Sequence, residues 1–308
     1  MISKPTIEVV GFPAALGECP LWHDEQQQLF WVDIDGRSVH RWDPSTGTSS
    51  LRNLPGRPGS VAFTPDPDVL LVAMENELCW LHWPSGEVTS WQALEPAGTG
   101  NRLNDGRTDP AGRFVVGSMY ENVGAGRTSG ILHQIEADGA TSVLRENIGV
   151  SNGNAFDPGG NRAYFADSPT GNIWVWDYEP VSGRRSNERL LFDYQSVPGA
   201  PDGGCVDAEG CYWSASVFGW AVLRLTPDGV IDRRIEVPVE RPTMPCFGGS
   251  DRTTLFVTSI GGPNAGDPPD GVTPVEPGSL LAIEVNGVSG IGETPFGRTP
   301  GPDDLNRA

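Results

Sequence analysis

Four polar side chains stand at matching points of a repeated sequence pattern and could together bind a ligand. They are Glu18, Asn104, Asn152 and Asp202, and each comes just before an anchor of the repeat. Two of these side chains are carboxylates and two are amides. The two carboxylates and one amide, facing one cavity, would form an all-oxygen donor set, which suits a hard divalent cation. Without a cation, the two carboxylates would repel each other and one would stay protonated. The pattern therefore indicates a metal site, provided that the fold brings these residues together.

The pattern itself returns six times along the 308 residues. Its anchors are the segments 21–24, 61–66, 107–112, 154–159, 205–210 and 246–251. Each anchor is followed by a short run rich in β-branched and aromatic residues, and turn-forming residues bound each run. In the two remaining repeats, Ser60 and Pro245 take the position of the four polar residues, and we assign no role to either.

Repeats of about 40–50 residues, each with four strand-like runs, predict an all-β fold, a six-bladed β-propeller with four antiparallel strands per blade. The first strand of each blade would line the central channel, so the residues just before it would meet at one mouth. The last repeat lacks a fourth strand after 280–284, and the segment 6–10 is expected to close the ring there. We expect a single domain over 1–308, with long insertions at 120–128 and 261–278 that shape access to the mouth or form surface loops.

Charge and composition exclude several classes of function. The formal net charge of −19 makes nucleic acid an unsuitable partner, because binding it requires a basic surface. The five cysteines include no Cys-x-x-Cys pair, which favours free thiols in a reducing compartment. No long apolar run and no signal peptide are visible, so we expect a cytoplasmic protein without a membrane partner, as a monomer or small homo-oligomer.

Other readings of the same residues are weaker. The segments 104–106, 151–153 and 201–203 are each ordinary turn sequences, and only their shared phase favours a site. The segment 149–153 matches the Gly-x-Ser-x-Gly pattern of a nucleophilic serine, but that pattern needs a strand–turn–helix context that is not evident. The chain has four histidines and no His-x-x-x-His pair, which argues against a histidine-ligated zinc site.

Several motifs, in order along the chain, resemble those of the gluconolactonase/regucalcin family of sugar lactonases. They are Leu-Gly-Glu-Cys-Pro-Leu-Trp at 16–22, Asn-Arg-Leu-Asn-Asp-Gly at 101–106, Ser-Asn-Gly at 151–153, Asp-Ser at 167–168, Pro-Asp-Gly at 201–203 and Cys-Phe-Gly-Gly at 246–249. The resemblance runs from about residue 8 to residue 290. Each motif is weak alone, and the ordered series is specific. One departure is Cys19, where the family usually has Gly.

The resemblance implies an enzyme that hydrolyses a sugar lactone with the help of one divalent metal ion. By matching motif, Glu18, Asn152 and Asp202 correspond to the metal ligands, and Asp202 is the candidate general base. Calcium is the first candidate metal, with manganese, magnesium, zinc or iron(II) as alternatives. The other functions that we consider are a metal-dependent esterase or organophosphate hydrolase, and a calcium-binding propeller without catalysis.

The same resemblance implies where the sugar would lie. Arg102 and Asn104 correspond to substrate-binding positions, and Glu121 corresponds more loosely to a further substrate contact. An arginine at the mouth suits a hydroxyl-rich or carboxylate-bearing ligand. Its alternative role would be a salt bridge to a neighbouring blade.

Overall fold

Among the described residues, twenty-four strands form six four-stranded antiparallel sheets, which are the blades of a β-propeller. The computed structural model describes residues 5–301, and these contain no α-helix. The predicted fold class is therefore confirmed. Blade 1 consists of β2 (Gly17–His23), β3 (Gln28–Asp33), β4 (Ser38–Asp43) and β5 (Thr48–Asn53). Blade 2 consists of β6 (Ser60–Phe63), β7 (Val69–Ala73), β8 (Glu77–His82) and β9 (Glu87–Ala93). Blade 3 consists of β10 (Asn101–Thr108), β11 (Phe114–Tyr120), β12 (Gly130–Ile135) and β13 (Thr141–Ile148). Blade 4 consists of β14 (Ser151–Phe156), β15 (Arg162–Asp167), β16 (Asn172–Glu179) and β17 (Arg184–Asp193).

The last two blades include the strand that joins the two ends of the chain. Blade 5 consists of β18 (Ala200–Val206), β19 (Tyr212–Val217), β20 (Ala221–Leu225) and β21 (Ile231–Glu236), and blade 6 of β22 (Pro242–Gly248), β23 (Thr254–Ser259), β24 (Leu280–Glu284) and β1 (Ile7–Val10). In blade 6, β1 pairs antiparallel with β24, with Ile7 opposite Ile283 and Val10 opposite Leu280. The N-terminal strand thus covers an edge that β24 would otherwise expose.

The core lies between the blades. Six clusters of buried apolar side chains occupy the six interfaces between neighbouring blades. The cluster between blades 6 and 1, for example, stacks Trp22 on Phe256 with ring centroids 5.7 Å apart. The alternation of the strands supplies these clusters, because each blade has two faces and both are covered by a neighbour. The rigid ring that results fixes the positions of the inner strands.

A C-terminal strap, residues 289–297, crosses the end of the ring at which the inner strands finish. Its Ser289 carbonyl accepts from Ala208 of blade 5, and its Phe296 amide donates to the Phe63 carbonyl of blade 2, both at 2.8 Å. This segment was not predicted from the sequence, because it has no periodic pattern. Within residues 5–301, no helix is long and apolar enough to cross a membrane.

Candidate active site

β-Bulges in the inner strands bring the four predicted polar residues to the channel. The register shifts after Glu18 in β2, after Leu103 in β10, after Asn152 in β14 and after Pro201 in β18. A bulge adds an unpaired residue and re-aims the neighbouring side chains. The sequence analysis placed these polar residues just before the first strands; the structure places them inside the strands instead. Glu18 and Asn152 are the last paired residues before the bulge, whereas Asn104 and Asp202 lie within it.

The two remaining repeats differ from this arrangement. In blade 2, Ser60 is the first residue of β6, which pairs with β7 without a register shift. In blade 6, the bulge of β22 lies between Pro242 and Pro245, so Pro245 is on its far side. Thr243 occupies the bulge in its place, and its Oγ1 donates to the Gly17 carbonyl at 2.5 Å. The matching of repeats by sequence was therefore wrong by two to three positions in blade 6.

A chain of hydrogen bonds links Arg102, Asn104 and Asn152 across two blades. The Nη1 of Arg102 donates to Asn104 Oδ1 at 2.7 Å, and Asn104 Nδ2 donates to Asn152 Oδ1 at 3.0 Å and to the Ser151 carbonyl at 2.9 Å. The Nδ2 of Asn152 donates to Ser168 Oγ at 2.8 Å. These donors fix both amides, so Asn152 Oδ1 keeps one lone pair for a ligand in the channel.

Two buried carboxyl groups, Glu18 and Asp202, lie beside this chain. Among residues 5–301, neither side chain forms an ion pair within 4.0 Å. Burial, followed by repulsion from Asp202 and Asp105, raises the pKa of Glu18 well above its ordinary value. Burial, followed by repulsion from Asp105, raises the pKa of Asp202 to about 8. Arg102 acts in the opposite direction on both groups but does not compensate. Both groups therefore favour the protonated form, and a bound cation would displace the protons and stabilise the two carboxylates.

Asp105 is a third buried carboxyl group, and the sequence analysis did not single it out. Its Oδ2 accepts from the Asn154 amide at 2.8 Å, whereas its Oδ1 has no hydrogen-bond partner among the described residues. Burial raises its pKa, and Arg107 opposes that shift. The sequence feature that could have identified Asp105 is the polar pair Asn104-Asp105, since a bulge directs two consecutive side chains away from the regular alternation.

Glu121 also reaches this mouth, but it lies at the rim. It directly follows β11 in blade 3, about half of its side chain is exposed, and its Oε1 pairs with Nη1 of Arg57 at 2.5 Å. Its charge acts on Arg102, as do the charges of Arg57 and Glu18. The structure therefore brings together all six residues that the sequence singled out.

Both predicted insertions leave their blades at the mouth. The insertion 120–128 starts where β11 ends, at the Asn101–Tyr120 pair, and contains a 3-10 turn at Val123–Ala125. The insertion 261–278 follows β23, whose last residue pairs with Pro242 at the start of β22. The Glu240 carboxylate accepts from the amides of Ala265 and Gly266, which fixes one part of this insertion. Both loops thus stand on the same side of the ring as the polar cluster.

The described residues contain no group of three or more His, Cys, Asp or Glu side chains placed to bind a metal ion. The predicted donor set differs from such a group because one of its three members is an amide. Carboxylate and amide oxygens together suit calcium, magnesium or manganese more than zinc. The buried, unneutralised carboxyl groups fit a divalent cation on chemical grounds.

Comparison with known proteins assigns this architecture to a group. A family model described as "SMP-30/Gluconolactonase/LRE-like region" matches residues 16–261. The chain is 36% identical to a 6-deoxy-6-sulfogluconolactonase of Pseudomonas putida, over 82% of this chain and 85% of that protein. It is also 36% identical to an L-arabinolactonase of Azospirillum brasilense, over 79% and 80%.

A solved structure shows the same fold. It is described as a calcium-binding protein, regucalcin, from Agrobacterium tumefaciens. The TM-score is 0.86 at 27% identity, and the match covers 96% of this chain and 98% of that one.

Proposed function

The chain belongs to the SMP-30/gluconolactonase/LRE-like family, and from this premise we propose that it hydrolyses a sugar lactone to the corresponding acid. The observation that carries the proposal is the meeting, at one mouth of the channel, of two unneutralised carboxyl groups with the hydrogen-bonded series Arg102–Asn104–Asn152. The relatives named 6-deoxy-6-sulfogluconolactonase and L-arabinolactonase support the reaction class. Which lactone this chain prefers depends on the walls of the mouth.

Glu18, Asn152 and Asp202 would hold one divalent metal ion, with calcium as the first candidate and manganese, magnesium, zinc and iron(II) as alternatives. The raised pKa values of the two carboxyl groups support this, since a cation would remove the repulsion that causes part of the shift. A metal ion bound there would supply Lewis-acid polarisation of the lactone carbonyl.

Arg102 and Asn104 would hold the hydroxyl groups of the sugar and fix its orientation. Arg102 is buried, and its Nε and Nη2 have no partner among the described residues, so both can donate to a ligand. Asn104 is held by Arg102 on one side and by Asn152 on the other. Such positioning lowers the entropy cost of reaching the reactive geometry.

Asp202 is the proposed general base. A water molecule gives a proton to the Asp202 carboxylate while its oxygen bonds to the carbonyl carbon of the lactone. The ring C–O bond then breaks, and the released oxygen takes the proton from Asp202 to become a hydroxyl group, which restores the carboxylate. A group whose pKa lies near the working pH suits this role, although a bound cation would lower the pKa of Asp202 below its value of about 8.

A lactone panel tests the proposal. Glucono-1,5-lactone, L-arabinono-1,4-lactone, the hydroxyl-free δ-valerolactone, an aryl ester and a phosphate ester are supplied to EDTA-treated protein and to protein reloaded with calcium, magnesium, manganese, zinc or iron(II). Acid release is followed by pH-stat. We expect turnover of a sugar lactone that EDTA abolishes and one of the metals restores. Thermal stabilisation by metal without turnover of any lactone would favour a calcium-binding propeller, and turnover of aryl or phosphate esters alone would favour the related hydrolases.

A further inference from the structure

Arg57 lies at the rim of the mouth, in the loop between β5 and β6, and no motif of the sequence points to it. Its Nε donates to Glu75 Oε1 at 2.7 Å, and its Nη1 pairs with Glu121 Oε1 at 2.5 Å. Both carboxylates raise the pKa of Arg57, so it stays charged. The guanidinium therefore connects blade 2, which holds Glu75, with the end of β11 in blade 3.

The loop that carries Arg57 is tied to the strand that carries Arg102 and Asn104. A Cβ atom on Gly59 would lie 2.5 Å from the Leu103 carbonyl oxygen, which shows how closely the two backbones approach. The Leu103 amide donates to the Glu75 carbonyl at 2.8 Å. The backbone on either side of the Arg57–Glu75 ion pair is therefore fixed against the inner strand of the neighbouring blade.

Arg57 and Glu121 each leave one polar atom free. Nη2 of Arg57 and Oε2 of Glu121 have no hydrogen-bond partner within residues 5–301. One is a donor and the other an acceptor, which matches the two hydrogen-bonding functions of a hydroxyl group. The pair lies at the mouth, because Arg57 shortly precedes the inner strand β6 and the Glu121 amide donates to the Gly100 carbonyl, just before β10, at 2.9 Å.

We propose that Arg57 is a positioning residue that fixes Glu121, and that the two together recognise a hydroxyl group of the substrate remote from its reacting carbonyl. The proposal rests on lactone hydrolysis at this mouth. Without Arg57, the half-exposed Glu121 side chain would sample several rotamers, and the donor of the pair would be lost. The pair would thus favour hydroxylated lactones over lactones of the same ring without hydroxyl groups.

A double-mutant cycle tests this inference on the sugar lactone of the panel with the highest kcat/KM. In Arg57→Met and in Glu121→Gln we expect KM to rise about tenfold and kcat to change by less than about threefold, because a binding contact away from the reacting atoms is lost. In the double variant we expect KM to match that of the worse single variant, since the two groups act as a unit. Arg57→Lys keeps the charge and should recover part of the affinity.

Arg252→Met is the matched control. Arg252 forms an ion pair with Asp24 at 2.9 Å between neighbouring blades, with similar exposure, but at the opposite end of the inner strands. We expect a similar effect on melting temperature and no effect on KM. Independent, additive KM effects of the two rim variants, or an unchanged KM in Arg57→Met, would overturn the inference while leaving lactone hydrolysis intact. Absence of turnover in the unaltered protein would instead overturn the proposed function and with it this inference.

Discussion

Asp202 has two proposed roles, as a metal ligand and as a general base. Comparing its substitution with that of Asn104 distinguishes these roles from the positioning of the substrate. We predict that Asp202→Asn lowers kcat by about 10²–10⁴-fold, the usual contribution of a general base. Asn104→Ala should cost less, about tenfold to a hundredfold, because it removes an orienting hydrogen bond and leaves the proton acceptor in place. Steady-state kinetics at saturating metal, with occupancy checked by the shift in melting temperature, makes the comparison. Equal residual activity in the two variants would contradict the role of Asp202 as a base.

Glu18 and Asp202 also predict how metal affinity depends on pH. Their pKa values are raised in the metal-free protein, that of Asp202 to about 8, so each binds a proton more tightly than usual. A cation must displace such a proton, so its apparent affinity should fall as the pH drops below about 8, by about tenfold per pH unit for each proton released. Calorimetric titration with calcium at pH 6, 7 and 8, in two buffers of different ionisation enthalpy, measures both quantities. An affinity that stays constant from pH 8 to pH 6 would refute the assignment of these carboxyl groups.

Bulges in the inner strands explain why the site was only partly predictable. The matching positions of Glu18, Asn152 and Asp202 in the repeat were visible to within one residue, because strand and turn residues repeat at regular intervals. Whether a strand contains a bulge depends on its pairing with the next strand, and a single sequence does not show that register. For this reason Asp105, within a recognised motif, was not identified from the sequence. Arg57 was missed because it lies in a loop that belongs to no repeated motif.

Cys19 shows how the bulge constrains the residues that it contains. Its φ of +47° lies in the left-handed region, which glycine adopts without steric cost. This accounts for the glycine that the family usually has there. In this chain the cysteine is buried instead, and its Sγ lies 3.4 Å from the Val61 amide of the next blade. Packing against blade 2 therefore offsets a backbone conformation that disfavours a side chain.

The C-terminal strap is a structural element that the sequence analysis missed, and Phe296 is its main apolar contact. The side chain is fully buried, with its ring centroid 6.1 Å from that of Trp80 and 5.7 Å from that of Trp91. We predict that Phe296→Ala lowers the free energy of unfolding by about 3–5 kcal/mol, the usual cost of emptying such a site. Because the strap lies at the far end of the channel, kcat/KM at 25 °C should not change.

Phe12→Ala is the control for that prediction, since about half of the Phe12 side chain is exposed. Its effect on the free energy of unfolding should stay within about 0.5 kcal/mol. Denaturant unfolding of both variants makes the comparison. Equal stabilities would show that the strap does not contribute to the stability of the ring.

Closure of the ring joins the two ends of the chain in blade 6. The number of blades could be predicted from the sequence, because each repeat carries its own turn residues. The strand β1 holds blade 6 through four residue pairs with β24, and Ile7 and Val10 also pack beside the clusters on the two sides of that blade. A closed ring differs from an open stack of repeats, because the loss of β1 would expose the edge of β24 and loosen the interfaces on both sides of blade 6.

Removal of residues 1–10 should therefore lower stability more than its few buried atoms suggest. We predict a fall in melting temperature of about 5–10 °C, which corresponds to about 2–3 kcal/mol in a chain of this size, together with a greater tendency to associate through the exposed edge of β24. Val9→Thr serves as the control, because Val9 is half-exposed and threonine keeps the strand conformation. Differential scanning calorimetry and light scattering measure the two effects. A truncated protein with the melting temperature of the Val9→Thr variant would show that β1 is dispensable, and the ring would then be held by the interfaces of blade 6 alone.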